Sequence, residues 1–221
     1  MDSSHGTIRF VEILELSEQL YYVALIRVEE ILRAGGVAIV PTDTVYGIIA
    51  DATNEEAVKK VFLLKQRPLE KSLPVFVKDI AMARWFAYIS DSKAQFLERI
   101  WPGDVTIVFH HKEKFPSILT GGGDTIALRI PNHKFLLQLL TQLDRPIVQS
   151  SANIAGFPPA KNIEELRMYF SSRDPQPDLV VDAGMIQGNA STILDFTHSD
   201  LRVVRTGLIT KEELDRILEA L

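Results

Sequence analysis

The most constraining stretch is Val37-Ala-Ile-Val-Pro-Thr-Asp-Thr-Val-Tyr-Gly47. Val37 to Val40 form an apolar run of the length of a short buried strand. Pro41 ends it, because proline has no N–H for the ladder. Thr42, Asp43, Thr44 and Tyr46 then gather polar groups at the carboxyl end of that strand, before Gly47 permits another turn. In open α/β sheets, ligands bind at the carboxyl ends of strands. The plain alternative is a Pro-Thr-Asp turn whose side chains bond their own backbone. The rest of the chain has to decide between the two.

Thr7 to Ile13 alternates enough for a first strand. Ser17 is positioned to cap a helix through Leu20, Ala24, Leu25, Val28, Ile31 and Leu32, which Gly35-Gly36 stops. Asn54 caps a second helix with Glu55 and Glu56 in its first turn, where the dipole favours them. Its apolar stripe, Ala57, Val58, Val61 and Phe62, ends in Lys65, and Pro68 closes it. Leu73 to Val77 reads as a strand, followed by helical patterns over 81–89 and 92–100 and a break at Trp101-Pro-Gly103. Val105 to Phe109 and Thr125 to Ile130 are strands, separated by Gly121-Gly-Gly123. Asn132 opens a helix, and Pro146 to Gln149 leads into Ser150-Ser-Ala-Asn153. A helix near 162–170, a polar link at 171–177 and strands at 179–182, 191–195 and 201–205 complete the pattern up to the last helix. Thr210-Lys-Glu-Glu213 is a capping box for that final amphipathic helix. Strands and helices are mixed without strict alternation, which predicts a single α/β domain over 1–221 with a twisted mixed sheet.

Composition narrows the function classes. With 46% hydrophobic and 24% charged residues, the 221-residue chain has ordinary globular content, and no apolar run is long enough to span a bilayer. The N-terminus lacks the regions of a signal peptide, so a cytoplasmic protein without membrane contact is expected. Asn189-Ala-Ser191 is then a chance match to a glycosylation acceptor. There is no cysteine, hence no disulfide framework and no thiolate metal site. The five histidines lack ligand spacing, and no protein-built metal site is expected. A formal net charge of −5 argues against a generic nucleic-acid coat but leaves room for a small basic pocket.

Such a pocket has candidates. Lys65-Gln-Arg67 with Lys71 groups cations at a helix exit, where Arg suits bidentate phosphate binding and Lys acts as a mobile charge. A solvated helix end favoured by the dipole is the alternative. Ser151-Ala-Asn153 can present a hydroxyl and an amide to one cleft, or can serve as a turn. Gly121-Gly-Gly123 could form an anion nest or a plain turn. Neither common glycine-rich nucleotide loop is present, nor a Gly-x-Ser-x-Gly elbow. Hydroxyls and cations dominate, a set that binds and orients phosphates and carboxylates.

Taken in order, Pro41-Thr-Asp-Thr-Val-Tyr-Gly47, Lys65-Gln-Arg-Pro68 with Lys71, Trp101-Pro-Gly103, Thr125-Ile-Ala-Leu-Arg129, Ser151-Ala-Asn153 and Ser191-Thr-Ile-Leu-Asp195 with Arg205 resemble the YrdC-type threonylcarbamoyl-AMP synthases. The resemblance runs from about Leu20 to Leu208 and implies a YrdC-like fold, a twisted mixed sheet flanked by helices around a deep basic cavity. It implies formation of threonylcarbamoyl-AMP and pyrophosphate from L-threonine, bicarbonate and ATP, for N6-threonylcarbamoyladenosine in tRNA. By resemblance, Arg67, Lys71, Thr125, Asn153, Lys161 and Arg205 surround ATP, and Lys65 supports the phosphates. Thr44, Arg129, Ser151 and Ser191 line the threonine site, Arg129 facing the carboxylate. Lys65, Arg67, Ser151 and Asn153 are the implied catalytic set, with Mg²⁺ accompanying ATP. Phe76 stands where some members carry a threonine-contacting histidine and others an apolar residue. The chain resembles the short form, which implies delivery of product to separate threonylcarbamoyl-transferase proteins and only indirect contact with tRNA. The resemblance leaves two rivals. One is the carbamoyl-adenylate domain of hydrogenase maturation, disfavoured by the lack of cysteine. The other is a non-enzymatic RNA-binding or regulatory paralogue, disfavoured by the acidic balance and the intact Lys65, Arg67, Ser151 and Asn153.

Overall fold

The computed structural model describes residues 11–188, 190–198, 201–207, 213 and 216. In chain order the elements are β1 (Glu12–Glu15), α1 (Tyr21–Arg33), β2 (Ala38–Val40), β3 (Gly47–Asp51), α2 (Glu55–Lys65) and β4 (Val75–Phe76). Then come α3 (Ile80–Phe86), α4 (Asp91–Ile100), β5 (Val105–His110), α5 (Ser117–Thr120), β6 (Thr125–Arg129) and α6 (Lys134–Leu143). The chain continues through β7 (Ile147–Ser151), α7 (Ile163–Phe170), β8 (Leu179–Asp182), β9 (Thr192–Asp195) and β10 (Arg202–Arg205). The strands form one 10-stranded mixed sheet in the order β1-β8-β2-β3-β7-β4-β6-β5-β9-β10. Among the described residues, no helix is long and apolar enough to cross a membrane.

Alternation along the strands gives the sheet two different faces. Ile39, Ile48, Ala50, Val75, Val148, Ile107, Leu128 and Leu194 point to one face and join the larger apolar cluster with α2, α3, α4, α5 and α7. On the other face, Ala38, Val40, Ile49, Phe76, Ile147, Leu179 and Val181 pack under α1 and α6. That second cover is partial. Register places Gln149, Ser151, Thr125, Ala127, Arg129 and Thr106 on the same face as Phe76 and Ile147. Gln149, Ser151, Thr125 and Ala127 are only half-buried there. One half of this face is thus apolar and covered, and the other is polar and open.

Local signals set most element ends. Asn54 Oδ1 accepts from Ala57 N at 3.1 Å, and Asn162 Oδ1 accepts from Glu165 N at 2.9 Å. Gly35 takes a φ of 74°, with Gly35 N–H on Leu32 O and Gly36 N–H on Ile31 O, as the double glycine predicts. Three expectations shift. Ser17 caps only a turn, by accepting from Leu20 N, and α1 starts at Tyr21. Asn132 does not cap α6; its N–H is taken by the Asp43 carboxylate and His133 becomes the first flanking residue. The strand expected over 73–77 pairs only at Val75 and Phe76. The start of the expected first strand, the glycosylation match at Asn189 and the opening of the final capping box lie outside the described residues.

The end of α2 is tied to the carboxyl end of β7. Gln66 adopts a left-handed conformation (φ 50°, ψ 42°), with its N–H on Leu63 O and the Arg67 N–H on Phe62 O. This is a Schellman turn with glutamine where glycine is usual. It leaves Lys65 facing inward, 3% exposed. Lys65 Nζ donates to Ser151 O (2.5 Å), Asn153 O (3.0 Å) and Asn153 Oδ1 (3.0 Å), while Lys65 O accepts from Ala155 N at 2.8 Å. One residue therefore fixes the exit of α2 to the exit of β7. Burial, and secondarily the Arg67 charge, pull the Lys65 ammonium down to about 7.

Replacing Lys65 by Met retains the stem but strands three buried oxygens. Urea denaturation should show a loss of about 2–4 kcal/mol, and an unchanged midpoint would refute the anchoring role. The ammonium has an ordinary value of 10.5 and a folded value of about 7. Between these the unfolded chain binds more protons, so this group's contribution grows as pH rises through that window. Wild-type stability should accordingly gain on Lys65→Met from pH 7 to 10, and parallel pH profiles would contradict the shift.

Candidate active site

Three hydrogen-bonded groups hold most of the predicted site residues. The first is built on the Lys65 anchor. Ser151 Oγ donates to Asn153 Oδ1 at 2.6 Å, and Asn153 Nδ2 donates to Ile154 O and Phe157 O at 2.9 and 2.7 Å. Every polar atom of the Asn153 amide is thus engaged, which fixes its orientation. Ala160 N donates to Ala152 O, and Lys161 O accepts from Ile186 N, so the backbone of Lys161 is drawn beside this loop while its side chain is exposed. On the other side of the Gln66 turn, Arg67 Nε donates to Lys71 O (3.0 Å) and Nη2 to Ser72 O (2.9 Å). Arg67 is half-buried, and burial lowers its pKa. The loop it closes is backed by Gly121, where a Cβ would lie 2.6 Å from Glu70 O. The glycine run is therefore not an exposed anion nest at that position: Gly121 (φ 64°) ends α5 and seats the 67–72 loop.

The second group centres on Arg129, which is 3% exposed. Its Nε donates to Gly103 O at 2.7 Å, and its Nη2 to Asp43 Oδ2 and Asp104 Oδ1 at 2.7 and 2.8 Å. Nη1 has no hydrogen-bond partner among the described residues. Burial lowers the Arg129 pKa, opposed by the two carboxylates. Trp101-Pro-Gly103 thus contributes a carbonyl acceptor, and Trp101 Nε1 closes the same turn onto Val105 O at 2.6 Å.

The third group joins Ser191 Oγ to Thr106 Oγ1 at 2.9 Å, with Arg205 Nε and Nη2 donating to Ser191 O at 3.1 and 2.8 Å. Thr125 starts β6 on the open polar face and has no side-chain hydrogen bond among the described residues.

The polar loop after β2, residues 41–46, ties these groups together. Asp43 reaches Arg129, Tyr46 O accepts from Ala152 N at 2.7 Å, and Gly188 passes so close that a Cβ there would fall 1.7 Å from Thr44 O. Thr42 Oγ1 donates to Val45 O at 2.6 Å, so in its 3.0 Å contact with Thr44 the Thr44 hydroxyl is the donor. That leaves the Thr44 lone pairs to accept. Tyr46, fully buried, donates to Asp182 Oδ1 and Gly184 O and accepts from Ala183 N. Phe76 lies beneath the Arg129 guanidinium, 5.8 Å from ring centre to Cζ.

Sequence reasoning gave no role to Asp43, Asp104 or Tyr46. Asp43 and Tyr46 stand within the polar turn after Val40, and Asp104 directly follows the Trp-Pro-Gly break, so position was the available signal. Two cavities, of about 620 and about 420 Å³, open elsewhere, one around Thr53, Lys78 and Trp85 and the other beside β1. None of the predicted site residues lines either. Among the described residues, no group of three or more His, Asp or Glu side chains is arranged to hold a metal ion.

Comparison with known proteins places this geometry. Residues 30–207 match the Sua5/YciO/YrdC family model, described as telomere recombination. The threonylcarbamoyl-AMP synthase of Pyrococcus abyssi is 33% identical over 189 residues, covering 85% of this chain and 55% of that protein. The synthase of Yersinia enterocolitica is 34% identical over 177 residues, covering 78% and 90%. The chain therefore spans about half of the archaeal relative and most of the bacterial one. The structure of P. abyssi Sua5 complexed with L-threonine superimposes with a TM-score of 0.83 at 29% identity, over 95% of this chain and 61% of that one. Escherichia coli YciO shares the fold with a TM-score of 0.79 at 21% identity, over 92% and 99%. With the family match over most of its length, and its turn, Lys-x-Arg and Ser-x-Asn segments bonded into one site, the chain belongs to the Sua5/YciO/YrdC family.

Proposed function

We propose that the chain is an L-threonylcarbamoyladenylate synthase, a nucleotidyltransferase that forms threonylcarbamoyl-AMP and pyrophosphate from L-threonine, bicarbonate and ATP. The observation that carries the reading is the Lys65 anchor, which holds Arg67 and Asn153 on one scaffold. The curated relatives named threonylcarbamoyl-AMP synthase support it.

In this reading Arg67, Lys71 and Arg205 supply charge to the triphosphate, with Thr125, Asn153 and Lys161 as further contacts. Lys65 acts behind them as a positioning residue, since its three protons go to protein oxygens. Thr44, Ser151 and Ser191 offer hydroxyls to the amino acid, and Arg129 offers Nη1 to its carboxylate. Mg²⁺, which neutralises phosphate charge, would take its ligands from phosphate and water, because the cations and hydroxyls of this set fit the anion rather than the metal. The threonine amine adds to bicarbonate to give the carbamate, with loss of water. A carbamate oxygen then displaces pyrophosphate from the α-phosphorus. Catalysis comes from positioning and from charge stabilisation by Lys and Arg. The product carries an activated threonylcarbamoyl group suited to a transferase acting on tRNA in the cytoplasm.

Pyrophosphate release should require L-threonine and bicarbonate together, and release independent of either would refute the reading. Arg67→Ala and Asn153→Ala should each cut turnover at least about 100-fold, with an unchanged circular dichroism spectrum. Full activity in either variant would remove that residue from the site.

A further inference from the structure

The Arg129 cluster is unbalanced in two ways. It sets two carboxylates, Asp43 and Asp104, against one guanidinium, and both bonds fall on the same nitrogen. It is also short of a donor. Asp43 Oδ2 accepts from Arg129 and from Asn132 N, but Asp43 Oδ1 is buried with no partner, on a side chain only 9% exposed. A buried carboxylate oxygen left unpaired is costly, and the excess negative charge adds to that cost.

The protein's own groups do not fill the deficit. His133, next to Asn132, is the nearby titratable group, and its Nδ1 is also buried without a partner. Burial lowers its pKa, with the Asp43 charge opposing, and no hydrogen bond joins its Nδ1 to Asp43 Oδ1. The loop hydroxyl of Thr42 is spent on Val45 O. Of the two acids Asp104 is the open one, its side chain 36% exposed against 9% for Asp43. What the cluster lacks is a positively charged N–H donor of small size. An amino acid carries one, together with a carboxylate for Arg129.

We propose that the Asp43–Asp104 pair holds the α-ammonium group of the amino-acid substrate and accepts the proton this group must shed before the amine attacks bicarbonate. The inference rests on the synthase reading and names the groups behind it. In the step, one N–H bond breaks, the proton passes to a carboxylate oxygen, and the electron pair stays on nitrogen as the nucleophile. Burial raises the Asp104 pKa, against the pull of Arg129 and with help from the Asp43 charge, which makes it a better acceptor than an ordinary carboxylate. Arg129 thereby serves two ends of one ligand, meeting the carboxylate with Nη1 and holding both acids with Nη2.

The test uses the full chain and isothermal titration calorimetry with two ligands: L-threonine, and the 2,3-dihydroxybutanoate in which a hydroxyl replaces the amine. Wild type should prefer L-threonine by about tenfold or more, as expected for a charge-assisted bond. Asp104→Asn, at a part-exposed position and verified by its melting transition, should bring the two ligands to within about twofold. Asp43→Asn, verified by its melting transition, should do the same. A preference that survives in both variants overturns the inference, as does a wild type that binds the two ligands equally. Wild type that binds L-threonine not at all overturns the synthase reading as well.

Discussion

A single buried ammonium holds the site together. Lys65 sits at the last turn of α2, where a cation is favoured by the helix dipole, yet its side chain turns inward across the end of the sheet. Its three protons meet Ser151 O, Asn153 O and Asn153 Oδ1, partners more than 80 residues away in sequence. A side chain without N–H groups could fill the volume but would leave these oxygens without that donor. The left-handed Gln66 next to it makes the arrangement possible, because it reverses the chain within one residue and sends Arg67 to the opposite side. A non-glycine residue in that conformation is mildly strained, and such strain is tolerated where the surroundings fix it.

The sheet gives this anchor something to act on. Its second face is covered by α1 and α6 over only part of its extent, so strands that are apolar at one end continue into half-buried polar positions at the other. Phe76 marks the boundary, packing with the apolar cluster while the Arg129 guanidinium lies over its ring. The 41–46 loop runs along this boundary and is held at both sides, by Arg129 and by Ala152. Position along a strand, rather than any separate module, divides core from site.

Much of this was legible in the chain. The apolar run to Val40, the proline stop and the polar turn are local, as are the Asn54 and Asn162 caps and the paired glycines after α1. Each depends on residues within a few positions of one another. What escaped depends on distant partners. Lys65 looks like a phosphate ligand by residue type, and only the exit of β7 turns it into a structural cation. Asn132 looks like a helix cap until Asp43 takes its N–H. The shortness of β4 reflects flanking proline and loop contacts, and the two acids around Arg129 are separated by the whole of α2, α3 and α4. Strand order, which brings β8 beside β2 and β7 beside β3, has no local signature at all.

The edge of the sheet carries a double duty. β10 is exposed along its length, and its middle residues, Val203 and Val204, are 45% and 60% exposed. An open apolar edge invites pairing with another chain, and flanking charge together with irregular register discourages it. Here the flanking charges are Arg202 and Arg205, and the register slips between Val203 and Arg205. The slip that spoils the edge as a template also turns Arg205 back onto Ser191. The protected edge and the Ser191 contact thus share one residue: loss of β10 would expose the β9 edge and withdraw Arg205 from Ser191 at the same stroke. Self-association and loss of the Arg205–Ser191 contact in a chain altered there would have a single origin.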